Sequence, residues 1–141
     1  MRRFQSEKGF TLVEIMIVVT ILALLAAIAI PGLLRARHNA NEATVIGDMK
    51  LIRDSMENFR TIQTPNSYPS ALTDLSGAAP PYIDTILASG TKHGYIFTYT
   101  SGTNTYSVVA SPATPSVTGT RVFFVNESGV IRLDDSAGNP I

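Results

Sequence analysis

Apolar positions along this chain follow three rhythms, and each predicts a different element. From Phe10 to Leu34 they are almost continuous, interrupted only by Thr11, Glu14 and Thr20. These 25 residues, at ~1.5 Å of rise each, make about 37 Å of helix. That is enough to cross a hydrocarbon core of about 30 Å with some tilt. The run from Ile15 to Ile30 is apolar on every side, so such a helix belongs in lipid or among like helices.

After Arg35 the pattern changes. Val45, Met49, Ile52, Met56 and Phe59 recur at spacings of 4, 3, 4 and 3, which lines one face of a helix running to about Ile62. Glu42, Asp48, Lys50, Asp54 and Glu57 are read as lying largely off that face. Pro65 should end the helix. Pro31-Gly32 falls between the two patterns. Proline removes a backbone donor and clashes with the preceding turn, so the pair predicts a kink.

The third rhythm is alternation. Residues 64–94 carry Pro65, Pro69, Pro80, Pro81, Gly77, Gly90 and Gly94 and read as loop, with brief helical turns near 69–75 and 81–87. Then Tyr95, Phe97 and Tyr99 alternate, and Tyr106, Val108 and Ala110 do so after a turn at Ser101-Gly102-Thr103-Asn104. Residues 111–120, rich in Pro, Ser and Thr, read as a surface loop. Arg121–Val125 and Gly129–Leu133 read as a second hairpin across Asn126-Glu127-Ser128-Gly129. About four short antiparallel strands need a cover, and the Val45–Phe59 face is the long apolar stripe left to provide it. The predicted class is α+β.

Glu14 is the residue that does not fit a simple span. A carboxylate in a membrane segment costs several kcal/mol unless it snorkels to the interface or finds a partner. A cut after Gly9 would create such a partner, the new ammonium of Phe10, in the same chain or a neighbouring one.

At Lys8-Gly9-Phe10-Thr11-Leu12-Val13-Glu14, followed by the apolar run and Pro31, the chain resembles the type IV pilin-like proteins, which include type IV pilins and the pseudopilins of type II secretion systems. The resemblance is close over residues 1 to about 37 and only architectural beyond. It implies four segments: a basic leader, 1–9, removed by a prepilin peptidase; a transmembrane and assembly helix, 10–34; an amphipathic half, 35–63; and a head, 64–141, made of a loop (64–94), a sheet (95–133) and a tail (134–141). It implies that Gly9 is the cleavage residue, that Phe10 becomes an N-methylated terminus, and that Glu14, with Thr11 beside it, serves assembly by pairing with the Phe10 amine of an adjacent subunit. It also implies that the helix near Pro31 and Gly32 can unravel. The implied partners are further copies of this chain, related minor subunits, the peptidase/methylase and an inner-membrane assembly platform. The precursor would sit in the inner membrane with its head periplasmic, and the filament at the surface or in the periplasm.

An ordinary signal peptide is the competing reading. Arg2, Arg3 and Lys8 form a basic start, and Ala27-Ile28-Ala29 fits small-x-small cleavage, which would release a soluble domain beginning at Ile30. Against it stand Glu14 inside the apolar region, the length of that region, and Pro31 just past the cut. Charge does not choose an orientation, because Arg35 and Arg37 balance the basic residues ahead of the span.

Composition narrows the remaining classes. With no cysteine there is neither a disulfide framework nor a thiolate metal site. The formal charge is zero, and loss of residues 1–9 would leave 8 basic and 10 acidic side chains, a net of −2. Nothing there suggests a nucleic-acid footprint. His38 and His93 are isolated in sequence, and no nucleophile-base set or phosphate loop is present, so an enzyme is not expected. No cofactor is expected either. The exception weighed is calcium at Asp134 and Asp135, with Asn139 nearby, through hard oxygen ligands. Asn126-Glu127-Ser128 reads as a turn rather than a glycosylation triplet, and the Ser/Thr-rich loop is a weaker acceptor for O-linked sugar.

Overall fold

The computed structural model describes residues 9–135 and 137–141. All of the expected leader except Gly9 lies outside the described residues, as does Ser136. Helix α1 (Leu12–Ile62) carries both apolar patterns of the first half of the chain, with Pro31 in its interior. It ends three residues before Pro65, which cannot continue it. The chain divides into two units, the first ending at Arg35 and the second running Ala36–Ile141.

In the first unit every residue from Leu12 to Arg35 is exposed. In the second, the remainder of α1 covers a sheet. Val45, Met49, Ile52 and Met56 are fully buried, and Phe59 packs against their cluster. Two short helices, α2 (Leu72–Ser76) and α3 (Thr85–Ala88), add Leu72, Leu75, Leu87 and Ala88 to the same core. The sheet contributes Tyr95, Phe97, Tyr106, Val108, Ala110, Phe123 and Val125 from alternate positions, as a half-covered antiparallel sheet requires.

Among the described residues that sheet has five strands, where about four were expected: β1 (Thr91–Lys92), β2 (Tyr95–Gly102), β3 (Thr105–Pro112), β4 (Phe123–Asn126) and β5 (Arg132–Leu133). They form an antiparallel meander in the order β1-β2-β3-β4-β5. Phe97 lies opposite Ala110 and Ala110 opposite Phe123, giving one inward row; Tyr99, Val108 and Val125 give the next.

The differences from expectation have local causes. β1 is two residues long and sits between Gly90 and Gly94, both at positive φ (83° and 75°), so no alternation is long enough to register. Residues 64–94 are therefore not simply loop. The first turn is tighter than read: β2 continues through Gly102, β3 restarts at Thr105, and Asn104 takes the left-handed φ of 61°. β3 also takes Ser111 and Pro112 from the expected surface loop. The second hairpin is shorter on both sides, with Arg121 and Val122 ahead of β4 and residues 129–131 ahead of β5. Residues 139–141 join the sheet edge: Leu133 N–H donates to Asn139 O and Ile141 N–H to Ile131 O, both at 3.0 Å.

Candidate functional site

Thr11 stands one residue before α1 and Glu14 is the third residue inside it, so the two form a reciprocal capping box. The Glu14 N–H donates to Thr11 Oγ1 at 3.2 Å. In return Glu14 Oε2 accepts from the Thr11 N–H at 2.8 Å and from Thr11 Oγ1 at 2.9 Å. Two backbone donors that a helix start leaves without partners are thereby satisfied. Glu14 Oε1 receives no hydrogen bond among the described residues. Local sequence thus fixes one carboxylate oxygen and leaves the other able to take a further donor.

The other polar side chain of the apolar run is answered locally as well, since Thr20 Oγ1 donates to Met16 O at 2.7 Å. Such hydroxyl-to-backbone bonding suits a helix surrounded by hydrocarbon, where no water can serve. Around these groups the surface is apolar throughout. Phe10 is 86 % exposed, and Leu12, Ile17, Leu22, Ile28 and Leu33 are all more than half exposed. An exposed apolar face of that extent marks a surface for lipid or for other apolar helices. Gly9 and Phe10 precede α1 and are exposed, so the backbone between them is not screened by a packed core.

The head unit answers its acidic residues differently, and here the expectation for Glu42 and Asp48 is corrected. Glu42 is 3 % exposed and Asp48 6 %. Glu42 Oε1 accepts from the Thr120 N–H (3.1 Å), Thr120 Oγ1 (3.2 Å) and the Arg121 N–H (3.3 Å), and Oε2 accepts from the Arg121 guanidinium at 2.6 Å. Burial raises the Glu42 pKa, but these donors outweigh it and hold the carboxyl below its ordinary value. Asn41 Nδ2 adds a bond to Thr118 O at 2.8 Å, so residues 118–121 are held along one side of the helix. Farther on, Lys92 Nζ bridges Asp48 Oδ1 and Asp84 Oδ2, each at 2.9 Å, while His93 Nδ1 meets Asp48 Oδ2 at 3.0 Å. Asp84 also caps α3 by accepting from the Leu87 N–H at 2.7 Å. That bond and the Lys92 contact hold its pKa down. One signal for Glu42 was present in the sequence. It stands three residues before Val45 and so continues the 3, 4 spacing of the buried stripe. Nothing local pointed to its partner 79 residues away.

The remaining expected sites stay apart. Pro31 and Gly32 lie within α1, and among the described residues nothing outside the helix backbone comes within 4 Å of where a Gly32 Cβ would be. His38 is half-buried, with Nε2 lacking a hydrogen-bond partner among the described residues. His93 is a loop histidine, but it has the partner on α1 that sequence spacing did not reveal. Asp134 and Asp135 are exposed, and Asp135 Oδ1 is taken by the Ala137 N–H at 2.8 Å. Among the described residues no group of three or more His, Cys, Asp or Glu side chains is placed to hold a metal ion. Asn126 Oδ1 accepts from the Ser128 N–H and Oγ, closing the turn read from sequence.

Residues 4–30 match the family model of the prokaryotic N-terminal methylation motif. The type II secretion system core protein G of Escherichia coli K12 is 27 % identical over 97 residues, 68 % of this chain and 66 % of that protein. The type IV wide pilus major component PilA4 of Thermus thermophilus is 54 % identical over 41 residues, 29 % and 31 % of the two chains. The core protein G of Pseudomonas aeruginosa is 41 % identical over 56 residues, 40 % and 39 %. The chain thus spans between about a third and just under two thirds of the length of these relatives. No solved structure matches it.

Proposed function

We propose that the chain, which matches the N-terminal methylation motif over residues 4–30 and is similar to type II secretion and type IV pilus proteins, is a pilin-like filament subunit stored in the inner membrane and polymerised through the apolar part of α1. The observation that carries this reading is the capping box at the start of an otherwise apolar segment of α1 that is exposed throughout from Leu12 to Arg35. Cleavage between Gly9 and Phe10 frees an amine, methylated on Phe10. The Glu14 oxygen that Thr11 does not occupy accepts the Phe10 ammonium of an adjacent subunit. In a low-dielectric filament core an unpaired charge is heavily penalised, so the register that joins the two groups prevails over its neighbours. Apolar helix packing drives the assembly, and Pro31-Gly32 is the place where the helix bends or gives way.

The role is mechanical rather than catalytic. The prepilin peptidase that cuts and methylates and an inner-membrane assembly platform are its working partners, along with like subunits. A type IV pilus-like fibre for adhesion, motility or DNA uptake is the main form of this reading. A secretion pseudopilus is the second, favoured by the alignment to a type II secretion core protein that runs on into the head. Loss of surface fibres on deletion supports the first; loss of secreted enzymes with fibres intact supports the second.

The first test is the intact mass of the envelope-extracted protein with fragmentation of its N-terminus. The expected chain begins at methylated Phe10. A chain beginning at Ile30 would mean conventional signal cleavage and overturn the proposal.

A further inference from the structure

From Ala43 to Asn58, α1 turns a second face away from the sheet that it covers. At about 100° per residue, Ala43, Gly47, Lys50, Leu51, Asp54 and Asn58 fall within about 60° of one line along the helix. All six are exposed, opposite the buried stripe of Val45, Met49, Ile52 and Met56. Three features of this face serve nothing within the monomer. A glycine in a helix interior is destabilising relative to alanine, yet a Cβ at Gly47 would meet nothing within 4 Å, so no described neighbour needs the room it leaves. Leu51, one turn on, is 41 % exposed. Lys50 makes no hydrogen bond or ion pair among the described residues, although Asp54 stands four residues ahead. Lysine before acid is the weaker order for a pair within one helix. Asp54 is held instead by Arg53, through Oδ1 at 2.8 Å, and its Oδ2 receives no bond among the described residues.

We propose that this face is a seam against a second copy of the chain, parallel to the first and four residues out of step with it. The inference rests on the filament reading. A subunit whose Phe10 amine meets Glu14 of its neighbour is displaced by four residues, about 6 Å along the helix. Identical subunits related by one repeated operation keep that step at every level where their helices run side by side. At that step Lys50 of one copy stands level with Asp54 of the next, and Gly47 level with Leu51. The unoccupied Asp54 oxygen takes the lysine, and the leucine enters the room that the glycine leaves. Neighbouring steps fail on charge. A displacement of three sets Lys50 against Arg53 and Asp54 against Glu57, like against like; one of five leaves Lys50 facing Ser55. At four, Arg53 also stands level with Glu57, so charge meets its opposite twice. The occupant is a copy of this chain rather than another protein, because both halves of each contact lie on the one face at the separation that the Phe10 and Glu14 pair already requires. Exposed ion pairs add little strength; here they select register, and the Leu51 contact supplies the apolar burial.

The chain has no cysteine, so an introduced thiol is unique. Full-length Lys50→Cys and Asp54→Cys chains carrying different tags are co-expressed in the source bacterium and treated with a short bis-maleimide. The expected product in sheared fibres is a mixed-tag dimer, in excess over same-tag dimers of either variant and absent when both chains also carry Glu14→Ala. A bridge between tags cannot arise within one helix. Fibre yield should fall about tenfold in Lys50→Asp and recover in Lys50→Asp with Asp54→Lys. Gly47→Leu should abolish fibres while the unfolding midpoint of the head holds or rises. Fibres without mixed-tag dimers, same-tag dimers in equal amount, or undiminished fibres from Lys50→Asp or Gly47→Leu would overturn the seam and leave the filament reading standing. A lowered midpoint in Gly47→Leu would place the use of that glycine inside the monomer and overturn the seam too. A natural chain that yields neither fibres nor methylated Phe10 would overturn the filament reading, and the seam with it.

Discussion

The two halves of α1 each place a glutamate on a helix, and the two glutamates are treated in opposite ways. Glu14, in the apolar half, bonds among the described residues only to Thr11, three residues away, and its Oε1 receives no donor there. Glu42, in the amphipathic half, fills both oxygens with donors from Thr120 and Arg121 and disappears from the surface. Glu42 is thus a closed structural contact of the monomer, whereas Glu14 is an open valence. The same side chain stabilises a fold in one place and awaits a partner in the other.

The sharpest way to break that comparison is Glu14→Ala. Filaments should be lost altogether while processing to Phe10 continues and the head's unfolding midpoint stays put, because Glu14 lies outside the head unit, which begins at Ala36. Normal filaments by electron microscopy would sink the pairing argument. Among stability effects the largest belongs to the buried stripe. Ile52→Ala should cost about 3 kcal/mol in a denaturant titration, since a fully buried side chain leaves a cavity behind.

Glu42→Ala comes next, at about 2 kcal/mol. It strands the Thr120 and Arg121 donors, and the half-exposure of Arg121 keeps the loss below that of a wholly buried pair. Acid should do part of the same work. The carboxyls of Glu42, Asp84 and Asp74 sit below their ordinary values in the folded head, that of Asp74 chiefly through the Ser70 hydroxyl. Their contribution is therefore complete above the unfolded carboxylate range near pH 4 and is lost as pH falls through the folded values. Stability measured by thermal unfolding should be level from pH 7 to 5 and decline below that, less steeply in Glu42→Gln.

Lys92→Met should cost about 1 kcal/mol, because the two carboxylates it bridges keep other partners or partial access to water. Lys92 is the opposite linkage case. Burial works against its charge, but Asp84 and Asp48 raise its pKa, so its contribution is present below the unfolded lysine value and fades as pH rises through the folded one. Thr11→Val is the mildest change for the isolated helix. Loss of the capping hydroxyl should lower its stability by about 1 kcal/mol, read as fraying of the first turn by amide exchange.

What was legible in the sequence was whatever repeats over several residues of one element. The apolar run, the Val45–Phe59 stripe and the β2 and β3 alternations each give many independent votes for one period. β1 gives two residues between glycines and so no vote. Glu42 and Asp48 were misread because a periodicity argument assigns charged residues to solvent, and only their cross-chain partners reverse that assignment. Thr11 and Glu14 stood out by motif as assembly candidates, whereas the reciprocal hydrogen bonding between them is a matter of atoms that no motif spells out.

The meander also sets an order of events in time. Each strand pairs with its immediate successor in sequence, so closing the sheet needs only short loops and proceeds quickly. The contacts that seat α1 on it span 44 residues for Asp48 to Lys92, 77 for Asn41 to Thr118 and 79 for Glu42 to Arg121. Each must absorb a larger loop-closure entropy before it is rewarded. By loop-closure entropy, docking of the helix is expected to be the late step of head folding. The chain emerges helix first, yet its helix is expected to find its place last.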